Sequence, residues 1–132
     1  MTRHVFTYGS LMFAPVWRHV VRGSYVSLAA RLDNHARYVV HNELYPGLVA
    51  EAGAQVDGML YLDIDDRDLA ALDRFEGEDY RRCTVMVQVD GGRLLAADTY
   101  LYIKREMLSS QRWLPQHFNQ QAFMQTWCRD DA

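Results

Sequence analysis

The chain has 132 residues, 49% hydrophobic and 23% charged, the balance of one globular domain over 1–132 that can bury its own core. Its 14 basic and 17 acidic side chains give a formal net charge of −3, and with no basic stripe this disfavours nucleic acid or an anionic membrane as a partner. The two cysteines, Cys83 and Cys128, form neither a metal-type pair nor a disulfide framework, and Met1–His4 carries no signal-peptide stretch, so a reducing, cytoplasmic setting is expected.

Val5–Tyr8 reads as a short strand that breaks at Gly9-Ser10. Pro15 fits the first turn of a helix that runs to about Arg22 and stops at Gly23. Extended segments follow at Tyr25–Leu32 and Arg37–Val40. In Glu43–Gly47 the proline-glycine order predicts a type II turn. Val56–Ile64 is strand-like. Asp65 caps the next helix, with further acids in its first turn, and the helix ends near Glu76, before Gly77. Tyr80–Val89 alternates, with Cys83, Val85, Val87 and Val89 on one face. Asp90-Gly91-Gly92 turns the chain back through Leu94–Ile103 as a hairpin. Pro115 opens a last helix through Phe118, Ala122, Phe123 and Trp127. Its apolar residues make no clean stripe, which leaves room for a homodimer contact. This order is not a βαβα alternation, so the expected class is α+β, a small mixed β-barrel or curved sheet with flanking helices.

Within the Asp65 helix, Leu69, Leu72 and Glu76 fall on one face at i, i+3 and i+7. The pattern that buries two leucines therefore aims a carboxylate at the same interior. Partial burial and the carbonyl end of the helix both raise the proton affinity of such a group, as a general base at neutral pH requires. The residues alone leave open a frayed last turn, with Glu76 in water and paired to Arg81 or Arg82. They also leave open whether Gly9-Ser10 is a plain strand-to-helix turn or backbone kept bare for a ligand. Cys83 shares its face with valines and reads as core. The five histidines show no paired spacing, so no metal site is expected. Ser10 lacks the flanks of a nucleophile elbow. Asp33 and Asp98 have no evident partner in the sequence.

Tyr8-Gly9-Ser10-Leu11, Tyr45–Val49, Val56–Ile64, Leu72–Gly77 with Tyr80 and Arg82, and Ala97–Ile103 occur in an order that resembles the gamma-glutamylcyclotransferase-like superfamily, in its avirulence-induced-gene-like bacterial branch. The resemblance covers roughly the first hundred residues. It implies a small mixed barrel and an enzyme that releases 5-oxoproline from a gamma-glutamyl amine or peptide. It implies that Tyr8, Gly9, Ser10 and Leu11 bind the gamma-glutamyl group and that Glu76 is the acid/base. Tyr100 and Tyr102 alternate across their strand, so one of them faces the pocket, and Tyr100 is the expected one.

The chemistry asks for little more. A gamma-glutamyl group carries its own nucleophile, the α-amine, placed to close a five-membered ring on the side-chain carbonyl. One base must remove a proton from the ammonium, and the same group can return it to the leaving amine. No cofactor is expected, and the expected partner is a small gamma-glutamyl molecule. The alternative is a non-catalytic domain that binds a small carboxylate or a protein through the same pocket.

Overall fold

A computed structural model describes residues 2–127. Six strands form one sheet: β1 (Arg3–Thr7), β2 (Ser27–Val40), β3 (Pro46–Ile64), β4 (Tyr80–Gln88), β5 (Leu94–Tyr102) and β6 (Leu108–Arg112). Their order is β3-β1-β5-β4-β2-β6, and an additional pairing of β2 with β3 closes the first five into a barrel. β1 runs parallel to β5 at Val5↔Asp98, and the other pairs are antiparallel. The barrel closes narrowly between β2 and β4, at Arg31↔Gln88, where Arg31 Nη2 donates to Gln88 Oε1 at 2.6 Å. Three helices flank it: α1 (Ala14–Val20), α2 (Asp66–Glu76) and α3 (Gln120–Trp127). The α+β barrel with flanking helices is thus as expected.

Side-chain alternation divides the apolar residues of β1 between two cores. Phe6 and Tyr8 point into the barrel with Leu32, Leu48, Leu60 and Val87. Val5 points outward, where the helices cover it with Val16, Trp17, Leu69, Leu72 and Phe123. Trp17 of α1 stacks on Tyr61 of β3 at 3.7 Å between ring centroids, which seats that helix on the barrel wall.

The structure corrects several sequence expectations. α1 ends at Val20 rather than at Gly23, because the N–H groups of Arg22 and Gly23 turn away to the Asp68 carboxylate, each at 2.9 Å. The two segments expected between Tyr25 and Val40 are one long strand, irregular between Asp33 and His35, with Asn34 at φ 60°. β3 starts at Pro46, so Pro46-Gly47 lies in the strand. The turn precedes it, and Asn42, not a glycine, supplies the positive φ of 64°. Pro115 opens a single 3-10 turn, and α3 starts later, where Asn119 Oδ1 accepts from the Ala122 N–H at 2.9 Å. β6 was not expected. It adds to β2 through Tyr38↔Arg112 and Val40↔Leu108. Cys128 lies outside the described residues.

Candidate active site

A cavity of about 330 Å³ opens where β1 ends. On one side lie Tyr8, Gly9, Ser10 and Leu11, where the strand passes into a 3-10 turn. On another lies the C-terminal end of α2, with Phe75, Glu76 and Gly77. Tyr45, Pro46, Tyr80, Tyr100 and Phe123 complete the walls.

Glu76 reaches this space for a local reason. Asp65 caps α2 by accepting from the Asp68 N–H at 2.8 Å, which fixes the phase of the helix. Leu69 and Leu72 are then buried, and Glu76 continues their stripe to the edge of the core. Gly77, at φ 79°, ends the helix in a conformation that a side-chain-bearing residue adopts only with strain. Arg82 is committed elsewhere, to Asp73 at 3.0 Å and Asp98 at 2.6 Å, so it does not pair with Glu76. Among the described residues the Glu76 carboxyl has no hydrogen-bond or ion-pair partner. Burial first, and the nearby Asp73 charge second, push its pKa from 4.5 to about 8. Asp73, rather than the helix end, is the second cause.

The tyrosines around Glu76 form a scaffold. Tyr8 OH donates to the Tyr100 carbonyl at 2.6 Å, Tyr80 OH to the Pro46 carbonyl at 2.8 Å, and Tyr100 OH to Asp73 Oδ1 at 2.7 Å. Burial, the largest cause for each, raises all three pKa values well above the ordinary phenol value, so they remain protonated donors. Tyr100 lines the cavity. Tyr102 does not, and instead packs edge-on against Tyr80 at 5.1 Å.

Gly9 serves two surfaces at once. A Cβ there would stand 2.9 Å from the Pro46 ring carbons, so the glycine lets the opposite wall pack directly on the loop. The N–H groups of Gly9, Ser10 and Leu11 find no acceptor among the described residues. Three bare donors at the start of a short helical turn form a nest suited to an oxyanion or carboxylate.

Asp98, partnerless on sequence reading, is buried and bound by Arg82, by Arg3 at 3.5 Å and by Thr84 Oγ1 at 3.1 Å. Tyr45, Pro46, Tyr80 and Phe123 were not among the expected site residues, although Tyr45, Pro46 and Tyr80 belong to the quoted motifs. Phe123 could not be assigned from its own helix pattern. It reaches the cavity through an aromatic cluster with Phe118 at 5.4 Å and Phe75 at 6.3 Å. Among the described residues no three His, Cys, Asp or Glu side chains converge as a metal-ligand set, and no helix is long and apolar enough to cross a membrane.

Residues 5–118 match the family described as gamma-glutamyl cyclotransferase, AIG2-like. The chain is 30% identical over 109 residues to AIG2-like protein D of Arabidopsis thaliana, covering 80% of this chain and 72% of that one. It is 27% identical over 106 residues to Protein AIG2 C of the same plant, covering 80% of this chain but only 64% of the relative. A solved structure named gamma-glutamyl cyclotransferase shares the fold, with a TM-score of 0.66 at 20% identity over 77% of this chain and 67% of that one. On its sequence match and its barrel, the chain belongs to the gamma-glutamyl cyclotransferase, AIG2-like family.

Proposed function

We propose that this protein is a cyclotransferase that releases 5-oxoproline from a gamma-glutamyl amine or peptide, with Glu76 as the acid/base and no cofactor. The observation that carries this reading is the Glu76 carboxyl, without a hydrogen-bond or ion-pair partner among the described residues. It shares a cavity with the Gly9–Leu11 loop, whose N–H groups find no acceptor among the described residues, and has its pKa pushed up to about 8.

Glu76 takes a proton from the substrate's α-ammonium. The freed amine attacks the side-chain carbonyl carbon, and its oxygen takes the developing negative charge. The Gly9, Ser10 and Leu11 N–H groups stabilise that oxygen, or hold the substrate carboxylate. The bond to the leaving nitrogen then breaks as Glu76 returns the proton to it, and the same carboxylate passes on the second proton of the attacking nitrogen, so the lactam nitrogen keeps one hydrogen and the amine departs as an ammonium. The α-nitrogen becomes the lactam nitrogen, and no water is consumed. A carboxyl whose proton affinity lies near that of an amine exchanges the proton in both directions without a large penalty.

Incubation with a panel of gamma-glutamyl amines and peptides, with 5-oxoproline measured by mass spectrometry, tests the reading. Release from at least one substrate supports it. If nothing is turned over while small carboxylates still bind in the cavity, the domain is a binding module instead.

A further inference from the structure

Arg37, on β2, is outside the cavity but holds the loop that forms it. Among the described residues no carboxylate lies within ion-pair distance of its half-buried guanidinium. The charge is met by main-chain carbonyls from three separate segments. Nη1 donates to the Tyr8 carbonyl at 2.7 Å and to the Asp57 carbonyl at 2.9 Å, and Nε donates to the Trp113 carbonyl at 3.2 Å. Nη1 also lies 3.7 Å from Met12 Sδ, just past the loop. The guanidinium carbon sits 5.2 Å from the Trp113 ring centroid, and Trp113 Nε1 donates to the Leu44 carbonyl at 2.9 Å, next to Tyr45 and Pro46 of the opposite wall.

The β1–β3 ladder ends at Thr7↔Met59, so strand pairing does not fix the Tyr8–Gly9 peptide. Arg37 does. In a trans peptide the C=O and the following N–H point in opposite directions. Holding the Tyr8 carbonyl on the Arg37 side therefore turns the Gly9 N–H away from Arg37. We propose that Arg37 is the positioning residue of this loop, fixing the Tyr8–Gly9 plane so that the Gly9 N–H, with those of Ser10 and Leu11, faces the cavity as an oxygen-binding donor set. Its ligand, a gamma-glutamyl carboxylate or carbonyl, rests on the functional reading above. The need for arginine follows from its planar fork, which reaches three carbonyls in different directions; a lysine ammonium is a point charge on a flexible stem.

The test compares Arg37→Lys and Arg37→Met with the wild type. Amide NMR reports the Gly9 and Ser10 N–H positions, and titration with 5-oxoproline reports binding. For a substrate the wild type accepts, kcat and KM are measured separately. Arg37→Met, still folded by its barrel resonances, should shift the Gly9 and Ser10 amides, weaken 5-oxoproline binding, and lower kcat/KM by about 100-fold, the usual scale for losing one preorganised oxyanion donor. Arg37→Lys should keep the Tyr8 contact and recover part of each. Unchanged Gly9 and Ser10 amides in folded Arg37→Met would overturn the proposal, as would a lysine variant no better than methionine. If Arg37→Met does not fold, the lysine variant alone decides: Gly9 and Ser10 amides indistinguishable from wild type would contradict a positioning role. A wild type that neither binds 5-oxoproline nor turns over a substrate would sink the functional reading, while the loop amides would still decide the role of Arg37.

Discussion

Asp73 precedes Glu76 by one turn of α2, and its charge is one of the two causes that hold Glu76 in its protonated form. Asp73 is itself fixed, by the Tyr100 hydroxyl at 2.7 Å and by Arg82 Nε at 3.0 Å. Strands β4 and β5 thus hold in place the aspartate that adds, after burial, to the proton affinity of a carboxyl on the helix, although this aspartate does not line the cavity.

This relationship predicts the pH profile. With Glu76 at about 8, kcat/KM should climb through the neutral range and level off only above that pH. Asp73→Asn removes the like charge but not the burial, so the midpoint should move down while staying above 4.5, the ordinary value. Stability carries the opposite mark. Glu76 binds its proton more tightly folded than unfolded, so its ionisation opposes folding increasingly as pH rises from 4.5 through about 8. Thermal melts should show Glu76→Gln gaining on the wild type in that window and not below it. A wild-type rate midpoint near 4.5 would contradict the assigned environment.

At Gly9 the packing with Pro46 sets the expectation. A methyl group 2.9 Å from the proline ring must displace it, so Gly9→Ala and Gly9→Val should lose both stability and binding. The stability loss should be about 1–3 kcal/mol, as for an overpacked core position, with valine worse than alanine. Denaturant unfolding beside 5-oxoproline titration measures both. Unchanged stability in Gly9→Val would mean that the Pro46 wall is not held against the loop.

Asp68 offers a test away from the cavity. Its buried carboxylate accepts from the Arg22 and Gly23 N–H groups and from Tyr25 OH at 2.6 Å. Burial alone would raise its pKa, but these donors outweigh it and lower it from 3.8. The stability it contributes is present above 3.8 and lost as pH falls through the lower folded value. Asp68→Ala leaves three donors without their acceptor and should cost about 2–5 kcal/mol in unfolding experiments near neutral pH. A loss under about 0.5 kcal/mol would show that this junction of α1, β2 and α2 does not carry stability.

The sequence made α2 legible almost to the residue, because Asp65, the Leu69–Leu72 stripe and Gly77 all act within one helix. Local pattern left the Gly9-Ser10 loop and Glu76 each with a plain reading, a turn and a frayed helix end, and it was the family resemblance that favoured the functional one. What the local pattern could not show was what crosses between elements. Arg22 and Gly23 look like a helix end until Asp68, from α2, claims their N–H groups. Asp98 looks unpaired until Arg82 and Arg3 arrive from β4 and β1. Gly9 reads as a plain turn or as backbone kept bare for a ligand, and nothing local shows that Pro46 also packs against it. Asp73, Arg37 and Phe123 shape the cavity through partners 27, 29 and 48 residues away, Tyr100, Tyr8 and Phe75, and no periodicity reports contacts at that range.

The most direct measurement is 5-oxoproline release by wild type and Glu76→Gln on one accepted gamma-glutamyl substrate, at a pH of about 8 where Glu76 is half ionised. Glutamine keeps the shape of the side chain and removes the base. The variant should fold as the wild type does and bind 5-oxoproline through the Gly9–Leu11 donors. Its kcat should fall at least about 100-fold, the lower scale for loss of a general base. A folded Glu76→Gln that releases 5-oxoproline as fast as the wild type would contradict the role assigned to Glu76.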